Sequence, residues 1–497
     1  MSQIGVSHLT FAYDGSYDNI FTDVSFRIDT DWKLGFCGRN GRGKTTFLKL
    51  LMGEYECGGA IAASVDFEYF PYPVADPSQS ALDILAAIAP GAPLWKIQKE
   101  LSKLAVAEDA LCRPLDTLSN GERTKVLLAG LFLRENSFLL IDEPTNHLDM
   151  AARQTVARYL NGKAGFILVS HDRAFLDECI DHVLSINKAN IEAQSGNFSS
   201  WWHNKRLQDE YELQENERLK KDIAHLEAAA RRTAAWSDSA ERRKVGIDPV
   251  KVDSKKGYAP KQAAKAKKLM ARSKAIQARQ QGSIEEKSKL LRNIETADTL
   301  KLRPLSYHSD RLLLVENLSV DYGGGAVFSG MSFSLHRGER VALIGGNGCG
   351  KSSLLKLLCG EDVPHGGTAS LASRLAVSYV PQDASPLAGD LDEYAAKYGV
   401  DGTLFRTMLR QLDFSRAQFE KNMRDYSAGQ KKKVLLARSL CEQAHLYVWD
   451  EPLNYIDVLS RMQIEELILS YKPTLLFVEH DRAFCDNIAT KSIPFAK

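Results

Sequence analysis

Gly38-Arg39-Asn40-Gly41-Arg42-Gly43-Lys44-Thr45, running on as TFLKLL to residue 51, returns as Gly345-Gly346-Asn347-Gly348-Cys349-Gly350-Lys351-Ser352, running on as SLLKLL to residue 358. Both octets satisfy G-x-x-x-x-G-K-[ST] at every fixed position, the pattern of a phosphate-binding loop. Glycines at these positions let successive backbone N–H groups converge on phosphate oxygens, and the N-terminus of the next helix adds a favourable dipole. Each octet follows a short apolar run, Lys33–Cys37 or Arg340–Ile344, and precedes a helical stretch, Thr45–Leu51 or Ser352–Leu358. Two further apolar runs of buried-strand length, Phe138–Ile141 and Leu446–Trp449, each end in Asp-Glu. Strand, loop and helix followed by more buried strands predict an α/β fold with a largely parallel sheet.

The repetition goes beyond the loop. LSNGERTKVLLA (118–129) is matched by YSAGQKKKVLLA (426–437), FLLIDEPTNHLD (138–149) by LYVWDEPLNYID (446–457), and ILVSHDRAF (167–175) by LFVEHDRAF (476–484). Four motifs in the same order, offset by 307 to 309 residues, make the chain one module written twice. The expected domains are 1–201 and 307–497, two tandem P-loop cassettes, with 202–306 as a linker belonging to neither.

Residue chemistry assigns roles within each module. Lys44 and Lys351 reach the β- and γ-phosphates, while Thr45 and Ser352 offer hydroxyls to Mg²⁺. Asp142 and Asp450 end buried strands, where a carboxylate can hold the magnesium shell. Glu143 and Glu451 come next, placed to orient or deprotonate an attacking water.

Ser119-Asn120-Gly121-Glu122 and Ser427-Ala428-Gly429-Gln430, each before a basic helix and upstream of the Asp-Glu-Pro strand, resemble the signature motif of ATP-binding-cassette proteins. The resemblance covers both modules. It implies ATP hydrolysis with Mg²⁺ at two composite sites. In each, one phosphate loop faces the other module's signature: Lys44 with Ser427 and Gly429, Lys351 with Ser119 and Gly121. The nucleotide contacts it implies are Gly38, Asn40, Gly41, Gly43, Thr45 and Thr46 in the first loop, and Gly345, Asn347, Gly348, Gly350, Ser352 and Ser353 in the second. His171 and His480 match the switch histidine that contacts the γ-phosphate, and Asp149 and Asp457 match the D-loop aspartate. Tyr13 and Tyr322 stand where the family stacks an aromatic ring on adenine, with ordinary packing as the alternative. Gln382, in Tyr379-Val380-Pro381-Gln382, matches the family's metal-contacting glutamine, but the first module reads Tyr69-Phe70-Pro71-Tyr72. The second module in turn reads Glu451-Pro452-Leu453-Asn454-Tyr455 against Glu143-Pro144-Thr145-Asn146-His147. Two unequal ATP sites are expected.

The bulk properties narrow the setting. Among 497 residues, 44% hydrophobic and 26% charged, no apolar run is long enough to cross a membrane and no secretory leader is evident. Eight cysteines without a C-x-x-C pair argue against a metal cluster and for a reduced, cytoplasmic compartment. Net charge is only +1, yet residues 231–279 hold 15 Lys and Arg against four Asp and Glu, a local +11 that leaves −10 elsewhere. Leu207, Tyr211, Leu219, Ile223 and Leu226 recur at helical spacing, and a second helix is expected over 261–294 after a turn-rich stretch at 244–260. At about 1.5 Å per residue, two helices of about 30 residues would project about 45–50 Å. Arg242, Arg243, Lys244, Lys251, Lys255 and Lys256 would then sit at the tip as RNA contacts, since basic groups meet phosphate through salt-dependent attraction.

Tandem modules joined by a basic helical linker resemble the ABC-F family of ribosome-associated ATPases. Spacings of 75 residues from Lys44 to Ser119 and 76 from Lys351 to Ser427 leave no room for the arm inserted in some housekeeping members. The compact plan is similar to the Lsa- and Vga-type resistance proteins. That resemblance implies a monomer that closes on two ATP in the E site of the 70S ribosome, with its linker near 23S rRNA and P-site tRNA. It would thereby protect the ribosome from lincosamides, streptogramin A and pleuromutilins. A housekeeping translation factor for stalled ribosomes is the alternative, and the energy subunit of a membrane importer a third reading.

Overall fold

The structure is a computed structural model that describes residues 2–13, 19–146, 148–187, 190–245, 302–323 and 325–495. The chain divides into two compact units, Met1–Trp201 with Ala297–Lys497, and Trp202–Thr296. The first unit holds both cassettes.

In cassette one, strands β1 (Gln3–Phe11), β2 (Phe21–Asp29) and β4 (Gly58–Ala62) form an antiparallel sheet in the order β2-β1-β4. The second sheet runs β5-β6-β7-β3-β8-β9, from β3 (Lys33–Cys37), β5 (Asp66–Phe70), β6 (Ser137–Asp142), β7 (Phe166–Val169), β8 (His182–Asn187) and β9 (Asn190–Ser195). All its neighbours are parallel except β9 on β8. Cassette two repeats the plan. Strands β10 (Arg311–Asp321), β11 (Ala326–His336) and β13 (His365–Leu371) pair antiparallel. β12 (Arg340–Ile344), β14 (Val377–Val380), β15 (Leu446–Asp450), β16 (Leu475–Val478) and β17 (Lys491–Pro494) make an all-parallel sheet, β14-β15-β16-β12-β17.

The expected strands therefore appear within a residue or two of their apolar runs, for a simple reason. A parallel strand covered on both faces needs apolar side chains throughout, and Phe138–Ile141 and Leu446–Trp449 are buried at every position. The strand order brings the C-terminal ends of β3 and β6, and of β12 and β15, to one edge of each sheet, where ligands of open α/β sheets bind. Leu302 joins the core of cassette two, and Tyr307 donates from its hydroxyl to the Ser373 carbonyl at 2.6 Å.

The loop-to-helix joints depend on glycine. Gly43 and Gly350 have φ of +94° and +95°, and a Cβ at Gly350 would lie 2.7 Å from Phe328 Cδ1. A Gly350→Ala variant is expected to lose about 1–3 kcal/mol through left-handed strain plus this clash. A chemical-denaturation midpoint that stays at the wild-type value would show that the joint tolerates a side chain.

The linker helix is longer than the spacing predicts. It runs 48 residues, Phe198–Val245, and starts inside cassette one, where Phe198 and Trp201 are buried with ring centroids 5.5 Å apart. Arg242, Arg243 and Lys244 fall on its last turn. Lys251, Lys255, Lys256 and the expected second helix at 261–294 lie outside the described residues.

Candidate active site

Two cavities lie between the cassettes, each walled by both. The first, ≈790 Å³, is lined by the loop residues Asn40, Gly41, Gly43, Lys44, Thr45 and Thr46, with Tyr13, Asp142, Glu143 and His171. Ser427, Gly429, Lys433 and Tyr455 line it from the other cassette. The second, ≈1070 Å³, is lined by Asn347, Gly348, Gly350, Lys351, Ser352 and Ser353, with Tyr322, Gln382, Glu451, Asn454 and His480. Ser119, Gly121 and Asp149 line it from cassette one. Gly38 and Gly345 stand behind the cavities, where their carbonyls accept from Lys44 and Lys351 at 2.8 and 2.9 Å. Asp450 sits behind site two, fully buried at the end of β15.

The walls are joined directly. Asn40 Nδ2 donates to the Tyr455 carbonyl at 2.9 Å, Arg39 lies 3.9 Å from Asp413, and Arg173 pairs with Glu465. The signature motifs are helix starts. Ser119 caps the helix Asn120–Leu131 in a capping box with Glu122, and Ser427 caps Ala428–Cys441 in one with Gln430. Each cavity thus receives a loop-to-helix N-terminus from one side and a capped N-terminus from the other, a doubly favourable place for a polyphosphate.

The tyrosines do two things at once. Tyr13 packs edge-on against Phe11 and Tyr55, with centroids 5.2 and 5.7 Å away, and shares a hydrogen bond with Thr46 at 2.8 Å. Tyr322 donates to Ser353 at 3.0 Å and is 58% exposed, leaving its ring face free for a flat ligand.

Unmet polar groups test the fit of nucleotide and magnesium. Lys44 is buried, and among the described residues its ammonium donates to neutral acceptors, the Gly38 and Arg39 carbonyls and Asn40 Oδ1. Burial holds its pKa below the ordinary lysine value, against the pull of Asp457, Glu143 and Asp142, so an anion here meets a cation that has lost its water. Both Asp450 oxygens are buried without a hydrogen-bond partner among the described residues. Burial lifts Asp450 to about 6, opposed by neighbouring Ser352 and reinforced by Glu451. A divalent cation is the group that relieves such a carboxylate. In site one, Thr45 donates to Asp142 Oδ2 at 2.9 Å, which brings the expected metal pair together. Thr45 with Asp142, and Ser352 with Asp450 and Gln382, fit Mg²⁺ carried in with ATP.

The two sites are lined differently, and a residue not singled out in the sequence carries part of the difference. Gln382 lines site two, whereas Tyr72 does not line site one. Tyr69 reaches in instead, donating from its hydroxyl to Asp142 Oδ2 at 2.9 Å, while the hydroxyl of its counterpart Tyr379 is buried without a hydrogen-bond partner among the described residues. The two glutamates diverge accordingly. Burial, reinforced by Asp142, pushes Glu143 well above the carboxylate range, to about 8, despite Arg461 and Lys44. Burial also raises Glu451, but His480 (3.4 Å away), Gln382 and Asn454, whose amide donates at 2.6 Å, overcome it and hold Glu451 down at about 2. His171 Nε2 stands 3.3 Å from Glu143, and burial, together with the Lys44 and Arg461 charges, keeps this imidazole neutral.

Two phosphate loops, each opposed by the other lobe's capped signature and backed by an Asp-Glu pair, define a P-loop ATPase with paired sites. The ABC transporter family model matches residues 21–146 and 328–454, half of the chain, and the protein belongs to this ATP-binding-cassette family, as an ATP-hydrolysing member of the ABC-F type. It is 28% identical to the putative ATP-binding protein YdiF of Bacillus subtilis (strain 168), over 95% of this chain and 77% of that one. It is 27% identical to the ribosome protection protein VmlR of the same strain, over 97% and 85%. It is also 27% identical to the energy-dependent translational throttle protein EttA of Haemophilus influenzae, over 96% and 89%. Among solved structures, the complex of archaeal ribosomal stalk protein aP1 with ribosome recycling factor aABCE1 matches with a TM-score of 0.63 at 19% identity, covering 98% of this chain and 87% of that one. That likeness concerns the tandem-cassette fold. No helix among the described residues is long and apolar enough to cross a membrane.

Proposed function

We propose that this ATPase protects the bacterial ribosome from drugs of the peptidyl-transferase centre. The observation that carries the reading is the pairing of both composite sites in one closed unit whose linker helix is rooted in cassette one. ATP in each cavity joins Lys44 to Ser427 and Lys351 to Ser119, which favours the closed form by the difference in affinity between closed and open states. The closed form fits the ribosomal E site, and the +11 segment at 231–279 turns toward 23S rRNA and P-site tRNA. Lys251, Lys255 and Lys256, with Arg242, Arg243 and Lys244, supply the RNA contacts. Mg²⁺ held by Ser352, Asp450 and Gln382 would supply positive charge beside the phosphates; Glu451 orients the attacking water, His480 steadies that glutamate, and hydrolysis reopens the clamp. The protein acts as a ribosome-associated monomer in the cytoplasm. Similarity to a ribosome protection protein at 27% identity over 97% of the chain supports this reading.

An equal identity to a translational throttle protein favours a second reading, a housekeeping role on stalled ribosomes. One variant and one phenotype separate them. Glu143→Gln/Glu451→Gln protein in ATP is expected to co-sediment with 70S ribosomes, and co-sedimentation no greater than in a nucleotide-free control excludes both. Expression in a drug-sensitive host is expected to raise the inhibitory concentration of a lincosamide or pleuromutilin. Ribosome binding with unchanged susceptibility leaves the housekeeping role.

A further inference from the structure

We infer that Arg153 is a positioning residue that wires the two ATP sites together, tying the switch loop of site one to the switch histidine of site two. Three partners fix its guanidinium. Nε donates to the Leu148 carbonyl at 3.0 Å, in the D-loop of its own cassette, just before Asp149, which caps the helix carrying Arg153. Nη1 donates to Asp172 Oδ2 at 2.9 Å, one residue past His171. The same nitrogen donates to the backbone carbonyl of His480 in cassette two at 3.2 Å. One planar group therefore touches a loop that lines site two and the segments holding both histidines. Its side chain is 11% exposed and that of Asp172 is 5% exposed, so water screens the pair little.

The repeat supplies an internal comparison. Arg461 occupies the same place after Asp457 and makes the same intracassette bonds, to the Ile456 carbonyl at 2.9 Å and to Asp481 at 3.1 Å. Its remaining nitrogen turns back to the Leu453 carbonyl at 2.9 Å, within cassette two. Leu453 stands where cassette one has Thr145, whose hydroxyl instead shares a hydrogen bond with Ser170 at 3.2 Å. Among the described residues, Arg153 crosses between the cassettes by a hydrogen bond, whereas Arg461 reaches cassette one through its charge alone, acting on Asp172 and Glu143. The hydrogen-bonded link runs from site one to site two and has no hydrogen-bonded mirror among the described residues.

Movement of the cassettes that shifts Asp172 or the 148–149 loop displaces the His480 carbonyl, and with it the imidazole 3.4 Å from Glu451. Occupancy of site one thus adjusts the geometry at site two without contact between nucleotides. In thermodynamic terms the guanidinium carries coupling free energy between sites, which appears as cooperativity in ATP concentration.

The test is steady-state ATP hydrolysis by the full chain at graded ATP. The wild type is expected to show a Hill coefficient above about 1, and Arg153→Met a coefficient of about 1, the value for uncoupled sites. Arg461→Met removes the same charge and the same intracassette bonds but no cross-cassette hydrogen bond, so it is expected to lower the melting temperature yet keep cooperativity. A purely structural role for Arg153 would move both variants alike. Arg153→Lys covers the case in which the methionine variant does not fold. Its single ammonium holds Asp172 but lacks the fork to reach His480 as well, and its coefficient is expected at about 1. A coefficient of 1 in the wild type, wild-type cooperativity in the folded Arg153 variants, or equal loss in Arg461→Met overturns the assignment.

Discussion

Replacing Glu451 by glutamine is expected to cost about 100-fold or more in ATP turnover, the scale of a lost general base, while Glu143→Gln costs less than about twofold. The reason lies in protonation. Glu451 is held at about 2 and is a carboxylate at any physiological pH, ready to accept a proton from water. Glu143 is pushed to about 8, so at pH 7 it is mostly the neutral acid, and an amide imitates that form closely. The sign with pH follows. A group with a raised pKa gains its charge only as pH climbs through that value. In a Glu451→Gln background, residual turnover from site one should therefore rise between about pH 7 and 9. The doubly substituted protein should show no such rise. Equal loss in the two single variants at pH 7 would sink the claim that site two does most of the hydrolysis.

Lys432→Met is expected to lower stability by about 3–5 kcal/mol, because it leaves buried partners of a charged group unpaired. Lys432 is 2% exposed, and its ammonium donates to three carbonyls: Pro381 at 2.8 Å, Gln382 at 3.1 Å and Asp450 at 3.1 Å. It pins the glutamine loop to the end of β15, beside the carboxylate assigned to magnesium. Burial lowers its pKa to about 8, with Asp450, Glu479 and Glu451 opposing. Cassette one has Thr124 at this place in its signature helix and no glutamine in its loop. Lysine and glutamine thus occur together in one repeat and are absent together from the other. Lys432→Thr should weaken the magnesium dependence of turnover as well as stability. A denaturation midpoint near the wild-type value for both substitutions would show that the loop is held by something else.

Much of this is legible in the sequence. The phosphate loops, the Asp-Glu strand ends and the signature serines are short motifs whose geometry is local, so their spacing carries their structure. Ser119 and Ser427 illustrate the limit. The pattern identified them, but the capping boxes explain why serine suits the position even without a ligand. Tyr69 was not legible, although it lies three residues from the Tyr72 that drew notice. What matters is its register in β5, opposite Leu140, which sends its hydroxyl to the carboxylate two residues farther along β6. Arg153 and Lys432 stayed hidden for a related reason. Each sits on a helix among other basic residues, and only tertiary packing separates the cation that bridges carbonyls from those facing solvent. The linker helix is legible from its period but not its length: it begins at Phe198, ahead of the expected boundary at 201, and runs 48 residues to Val245.

The capping box of Ser119 sets up a competition inside site two. Its hydroxyl donates to Glu122 at 2.7 Å, and the same carboxylate accepts from its backbone N–H at 2.9 Å. To grip a terminal phosphate, that hydroxyl must change acceptor, leaving one anion for another while both stand close together. The matching residue in cassette two is Gln430, which carries no charge. The chain thus keeps a substitute for the nucleotide waiting at site two. Once phosphate leaves, Ser119 has a ready alternative, and letting go there is easier than at the neighbouring site.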